Sequence, residues 1–297
     1  RMSKDNRVLM VMLPVGKAYV NPTEQQLAEI TAKVDAEEIE AFTDNTKTEP
    51  LIPQLPAPGK IVKEQKLAQW DAIELTLSNG VKVIVKPTTF KENNIVMEAI
   101  AIGGTSNVSD DLAATMKFFD YGASMNGAFN YTNADLDKYL QGKQASVRLG
   151  FSSYSRSISG STTVKDLPVL MELLYADFVG YKIYPDEFSA LQNMVEASMA
   201  NQVNTPEYAF QRDLMKSLFA SPKKQAPTIE DIKQASCEQT EKIAKEMLAN
   251  AADYTFVFVG NIDMDTFRPL VEQYIATLPA DAKKATNKVT YQQALEP

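Results

Sequence analysis

Residues 73–86 read IELTLSNGVKVIVK, two alternating apolar–polar runs joined by Ser78-Asn79-Gly80. Alternation at a period of two marks half-buried strands, and Asn-Gly between such runs is a strong short-range hairpin signal. Working outward, Asn94 to Ile102 predicts a third strand, closed by Gly103-Gly104. A short helix is expected over Asp111 to Tyr121 and another over Ala134 to Gln141, and Ala145 to Ser152 and Ser155 to Ser161 alternate as a further strand pair. The period then changes. From Val164 to Ala252 the spacing predicts five helices, at 164–179, 185–203, 206–220, 228–235 and 238–251, with Thr228 and Asp231 at capping distance. Tyr254 to Val259 (YTFVFV) reads as a fully buried strand, and a last helix follows over 265–278, with Pro269 placed near its first turn. Strands, a helical block, then a returning strand and helix predict an α+β fold, an antiparallel or mixed sheet with a helical layer on one face.

The flanks have a different texture. Residues 7–13 (RVLMVML) form an apolar run stopped by Pro14, expected as a strand without a nearby partner. Thr23 and Gln26 stand at capping-box spacing before Leu27, Ile30 and Val34, which predicts a helix over 23–42. Four prolines fall within residues 43–59 (TDNTKTEPLIPQLPAPG), the composition of a semi-extended connector, so a linker is expected over 43–72. After Pro279 the chain turns polar and unpatterned. The expected organisation is a tail of a preceding domain at 1–42, a linker at 43–72, an α+β domain at 73–279, and a linker to a following domain at 280–297.

Composition excludes several functions. The net charge of −8 over 297 residues argues against nucleic acid or anionic lipid as the main partner, since both need a basic footprint. No apolar run approaches the roughly 20 residues that span a bilayer, so no membrane-spanning helix is expected. No secretory signal is visible in the first residues; an exported, periplasmic location would follow if a parent chain carried one. The chain contains no histidine and a single cysteine, Cys237. Histidine-ligated zinc chemistry, a Ser-His-Asp triad and a cysteine-zinc site are therefore impossible within it. Cys237 is expected as a small helix residue, without an imidazole to activate it. Neither G-x-x-x-x-G-K-[ST] nor G-x-G-x-x-G occurs.

The remaining candidates have bland readings. Asp110-Asp111 and Glu230-Asp231 are adjacent acids at helix starts, where the dipole favours them, although two acids converging about 5–10 Å apart would make a carboxylate hydrolase. Asn107-Val-Ser and Asn130-Tyr-Thr match the glycosylation pattern by chance. Phe118, Phe119 and Tyr121 are expected on a core face, and Lys223-Lys224 in a solvated turn.

Two segments carry a family likeness. Residues 77–87 (LSNGVKVIVKP) with residues 95–104 (IVMEAIAIGG) resemble the opening hairpin and third strand of a pitrilysin/insulinase-family domain, and residues 256–265 (FVFVGNIDMD) running into Leu270, Tyr274 and Leu278-Pro279 resemble its closing strand and helix. The resemblance covers roughly 73–279. It implies a domain of a metallopeptidase whose homologous α+β domains close as two halves around a peptide. It also implies that the first such domain binds zinc through H-x-x-E-H and a downstream glutamate. Here the corresponding region, residues 111–122, reads DLAATMKFFDYG, and Glu196 falls near the third ligand. Without imidazoles Glu196 cannot hold the metal, so a helix-surface role is expected. The resemblance thus implies a non-catalytic, third-domain-like segment that walls the chamber and docks against the catalytic half. Catalytic and metal residues are expected to be absent from it, with zinc in an upstream domain, and no substrate-binding residue is assigned. Expected partners are the other domains of the same chain and a peptide or protein substrate. An inactive structural or interaction subunit of the same family is the alternative.

Overall fold

The computed structural model describes residues 8–13, 20–38 and 47–284. The chain divides into two compact units, 1–45 and 46–297.

In the first unit the capping box is formed. The Thr23 hydroxyl accepts from the Gln26 amide at 3.2 Å and the Gln26 side chain accepts from the Thr23 amide at 2.9 Å, opening helix α1 at Glu24–Ala36. Ile30 and Val34 stay exposed, at 58% and 49%. The strand expected over 7–13 does not form: residues 8–13 are exposed and have no ladder partner among the described residues. An apolar run without a second strand leaves its backbone groups to water. The helix expected to reach residue 42 ends earlier, at Ala36, where Glu37 turns to an extended backbone (ψ 133); residues 39–42 lie outside the described residues.

The second unit is built on a seven-stranded sheet ordered β1-β2-β3-β9-β4-β7-β6. Its strands are β1 (Ile61–Leu67), β2 (Ala72–Leu77), β3 (Lys82–Pro87), β4 (Ile95–Ile102), β6 (Ala145–Phe151), β7 (Ser155–Thr162) and β9 (Thr255–Gly260). The hairpin forms where Asn-Gly predicts it. Gly80 sits at φ 85, which L side chains avoid, and the Asn79 amide donates to the carbonyls of Ile275 and Leu278 at 2.9 and 3.1 Å, tying the turn to the closing helix. In β4 the alternation is complete: Ile95, Met97, Ala99 and Ala101 are buried, while Val96, Ile100 and Ile102 are 44–55% exposed.

Strand β9 inserts between the hairpin and β4, parallel to β3 and antiparallel to β4. Its position explains the long helical excursion, since a parallel neighbour cannot be reached by a tight turn. YTFVFV is not buried on both faces as the sequence reading had it; Phe256 and Phe258 enter the core while Thr255 is exposed on the other face. One face of the sheet is covered by α2 (Ala113–Ala123), α4 (Leu167–Val179), α5 (Pro185–Gln202), α7 (Ile229–Gln234) and α8 (Cys237–Leu248), which share a core with the strands. Helix α6 (Pro206–Leu218) has no buried residue, and helix α3 (Asn133–Tyr139) is capped by a Thr132–Asp135 box.

Three boundaries differ from expectation. Residues 61–67 belong to the sheet rather than to a linker: β1 pairs with β2 from end to end, but its sequence, IVKEQKL, carries charges at a sheet edge instead of alternation. Leu51 and Ile52 are also buried, and Tyr131 Oη donates to the Glu49 carbonyl at 2.5 Å. A second, two-stranded sheet of β5 (Asn126–Ala128) and β8 (Tyr181–Ile183) was not anticipated, because three residues show no periodicity. Pro269 lies beyond the first turn of α9 (Met264–Leu270), which is capped by Asp263, and a π-helical turn at Val271–Ile275 follows it.

Candidate functional site

Helix α2 occupies the place after Gly103-Gly104 that the resemblance gives to the zinc-binding helix. Its inward face holds Thr115, Phe118, Phe119 and Ala123, and Phe118 packs edge-on against Phe188 of α5 at 5.3 Å between ring centres. Tyr121, expected in the same core face, is 54% exposed and stacks on Phe118 at 5.8 Å. Lys117 Nζ meets Asp231 Oδ2 of α7 at 2.9 Å. Burial works to raise the Asp231 pKa, but hydrogen bonds from Lys117 and Thr228 outweigh it and hold the carboxyl below the usual range. Glu196 pairs with Lys233 at 3.1 Å across α5 and α7, the helix-surface role expected of it.

These donors do not fit a zinc ion. The chain offers no imidazole, and among the described residues no three His, Cys, Asp or Glu stand together as a metal site. The acids singled out in the sequence are engaged one by one. Asp110 accepts from the Ser221 hydroxyl at 3.0 Å and pairs with Lys223 at 3.3 Å. Glu230 accepts from Gln234 at 2.6 Å, and Asp231 is held by Lys117. Lys223 is no solvated turn residue: its side chain is only 6% exposed and donates to the carbonyls of Thr105 and Val108. The Cys237 thiol rests 3.9 Å from the Ile183 carbonyl and is raised by burial and by Glu241, which keeps it unreactive.

A cleft of about 390 Å³ opens at the end of β4, between the Gly103–Ser109 segment and α8. Its floor is apolar, from Val108, Leu112, Ile243 and Met247, and Asn107, Gln239, Lys242 and Glu246 rim it. Gly104 cannot carry a side chain here, since a Cβ would stand 2.0 Å from the Ser152 carbonyl oxygen. Arg156 of β7 closes the inner end. Only 8% exposed, it donates to the carbonyls of Met247 (2.8 Å) and Ile102 (3.2 Å) and pairs with Asp253 at 3.1 Å. Its guanidinium lies 5.3 Å from the Tyr254 ring centre, and its Nε has no partner. Sequence reasoning passed over Arg156; the available signal was a cation in phase with the inward-facing Ile158. Glu246 is the one carboxylate lining this cleft, so it does not supply the pair a carboxylate hydrolase needs. In a shallower groove, Glu64 is clamped by Arg268 at 3.0 Å and Glu272 accepts from the Ile61 amide at 3.1 Å.

Asp177 of α4 is a second buried charge. Among the described residues its side chain is met by the Asn126 side-chain amide, donating at 2.8 Å, and burial pushes its pKa up to about 7 against the pull of that bond. Beside it, burial and the Asp177 charge raise the Tyr181 hydroxyl, which donates to the Ala123 carbonyl at 3.0 Å.

This seven-stranded mixed sheet with one helical layer is the fold of zinc-peptidase domains, as comparison with known proteins bears out. No family model matches the chain. It is 19% identical over 283 residues to an Arabidopsis thaliana protein described as zinc protease PQQL-like, a match covering 94% of this chain and 27% of the relative. To the probable zinc protease PqqL of Escherichia coli K12 it is 19% identical over 231 residues, 77% of this chain and 25% of the relative. The solved periplasmic protease PqqL of Escherichia coli superposes with a TM-score of 0.69 at 16% identity, over 93% of this chain and 30% of that one. The ferredoxin protease FusC, solved with Arabidopsis ferredoxin, gives 0.69 at 17% identity over the same shares, 93% and 30%. A peptidase inactive domain from Pseudomonas fluorescens gives 0.56 at 16% identity, over 74% of this chain and 53% of that one. The chain is similar in sequence to parts of two zinc proteases and in fold to domains of solved proteases, one of them described as an inactive domain. It spans under a third of the length of the two curated relatives.

Proposed function

We propose that this chain is a non-catalytic segment of a zinc-dependent metalloendopeptidase, which walls a closing peptide chamber and docks against the catalytic half. The carrying observation is a conflict between fold and residues. The sheet and helix order match a solved protease over 93% of the chain, yet the helix in the catalytic position is filled by Phe118, Phe119 and the Lys117–Asp231 pair. Peptide hydrolysis then belongs to other domains of the parent, where zinc is held. In this scheme residues 1–42 end a preceding domain and 280–297 lead to a following one. Of the connector expected over 43–72, residues 61–67 are a strand of the sheet and Leu51 and Ile52 are buried in the second unit. The ferredoxin complex of one neighbour supports a folded protein as the parent's substrate. A second reading, an inactive structural or interaction subunit, is favoured by the neighbour described as an inactive domain.

The test is the sequence encoded upstream together with the behaviour of the isolated chain. The first reading expects H-x-x-E-H upstream, no tight zinc binding by the 297 residues in calorimetry, and peptide cleavage that appears only when the upstream half is added. An upstream frame without that motif overturns it in favour of the second reading, and stoichiometric zinc or cleavage by the chain alone overturns both.

A further inference from the structure

The two edges of the seven-stranded sheet are built differently. β1 carries Lys63, Glu64 and Lys66 and an irregular register between Ile61 and Lys63, devices by which an edge refuses a further strand. β6, at the other edge, reads ASVRLGF and pairs with β7 in unbroken register from Ala145 to Phe151. Just outside that ladder the Thr163 amide donates to the Gln144 carbonyl at 3.2 Å, and at its far end the Ser152 amide donates to the Ser155 carbonyl at 2.9 Å. Bonded pairs alternate in an antiparallel ladder, so Ser146, Arg148 and Gly150 direct their backbone groups at β7. The N–H and C=O groups of Ala145, Val147, Leu149 and Phe151 point the other way, and none has a partner among the described residues. Their side chains are half-buried and packed on the core. Arg148 is exposed on the opposite face, with neither ion pair nor hydrogen bond among the described residues. An acid in its row, Glu98, stands two strands away beyond Ser159, about 10 Å off.

A row of donors and acceptors repeating along a strand edge is matched by another extended backbone, whose groups recur at the same period. We propose that β6 takes up an extended peptide segment as a further strand, in which apolar residues flank an acidic one. The residues opposite Val147 and Leu149 exchange backbone bonds with them and turn apolar side chains toward the helical layer. The residue between them faces Arg148 at a non-hydrogen-bonded position, where side chains approach most closely, and an acid there supplies the missing charge. A second copy of the chain is a poorer fit, since β6 contains no acid and would bring another Arg148. The proposal rests on β6 alone, so its failure would leave the peptidase reading as it stands.

The experiment titrates the 297-residue chain with acetyl-Thr-Val-Glu-Val-Thr-amide and follows it by calorimetry and by amide hydrogen exchange. Saturable binding is expected, with exchange slowed at the Val147 and Leu149 amides. Methylating both valine nitrogens of the peptide, which face β6, should weaken binding at least about tenfold, and methylating the glutamate nitrogen, which faces away, less than about twofold. The peptide with lysine in place of glutamate should bind about threefold more weakly, and Arg148→Glu, an exposed change, should reverse that preference. No saturation, equal loss from the two methylations, a charge preference that Arg148→Glu leaves in place, or exchange at those amides slowed instead by self-association of the free chain overturns the proposal.

Discussion

Arg156 and Asp177 are both ionisable side chains buried inside the same α+β unit, and the fold treats them in opposite ways. Arg156 is met by a carboxylate, two carbonyls and an aromatic ring. Asp177 is met by a single amide, from Asn126. Burying an ion costs several kcal/mol, returned only by a close opposite charge and further hydrogen bonds. Arg156 therefore stays charged where it lies, while Asp177 escapes the cost by holding a proton, which is what its pKa of about 7 expresses. One residue fastens β7 to the α8–β9 connection; the other makes stability depend on pH.

The largest effect should come from breaking the paired site. Arg156→Met leaves Asp253 buried beside a methionine and removes donors to Met247 and Ile102. The expected loss is about 3–5 kcal/mol, measured by urea unfolding. Adding Asp253→Asn to the same chain should recover a substantial part of it, because the buried carboxylate, still bonded by Asn250 but no longer by a guanidinium, then loses its charge. A single variant losing under 1 kcal/mol would equate this pair with a surface one.

The unpaired site should respond in the other direction. In the unfolded chain Asp177 loses its proton near the ordinary 3.8, whereas the folded chain keeps it to about pH 7. Between those values the folded state binds the extra proton, so the contribution of Asp177 is fully present below pH 4, declines as pH rises, and is level above 7. Asp177→Asn should flatten that part of the profile. At pH 8 it should gain about 1–2 kcal/mol, the relief from the charge less the cost of an amide proton without a partner. A pH profile between 4 and 8 identical to the wild type would show that Asp177 is solvated.

Lys117–Asp231 sits between these extremes, with side chains 9% and 19% exposed. Lys117→Met keeps the aliphatic stem against the core and removes the ammonium. Asp231 retains its bonds from Thr228. The expected loss is about 1–2 kcal/mol, read from thermal unfolding at pH 7, and it should shrink only when the pH falls far enough below the usual carboxylate range to protonate Asp231.

The comparison also marks what a sequence can and cannot tell. The hairpin at Ser78-Asn79-Gly80 was legible because only glycine accepts φ 85 cheaply and because both flanking runs alternate. The absence of histidine, and so of any histidine-ligated zinc site within these residues, was legible from composition alone. Strand β1 was not, since an edge strand protects itself with Lys63, Glu64 and Lys66 and so erases the pattern that identifies strands. Nor was the pairing of β3 with β9, because about 170 residues separate Val83 from its partner Phe256. Arg156 and Asp177 each stood in view, one in phase with Ile158 and the other within the apolar LLYADFV of α4. Which charge is paired depends on Asp253 and Asn126, and sequence distance hides both.

Glu196 carries the smallest expected effect and the most discriminating one. It stands where the resemblance puts a third zinc ligand, and in the structure it is a partly exposed carboxylate paired with Lys233, itself 53% exposed. Solvent screens such a pair and the two long side chains lose rotamer freedom in forming it, so Glu196→Gln should cost no more than about 0.5 kcal/mol. That loss should shrink in molar salt, where the screening length falls to about 3 Å. If Glu196 kept a metal-binding role, the same substitution would instead stabilise the metal-free chain by relieving acidic crowding and would abolish a zinc-dependent rise in Tm. The geometry argues for the first outcome: the Lys233 ammonium meets the Glu196 carboxylate at 3.1 Å, and α5 and α7 are already joined by Gln192 donating to the Ala235 carbonyl at 3.2 Å. A residue where the resemblance puts a zinc ligand is here half of a surface clip, and it contributes to the fold only as much as such a clip can.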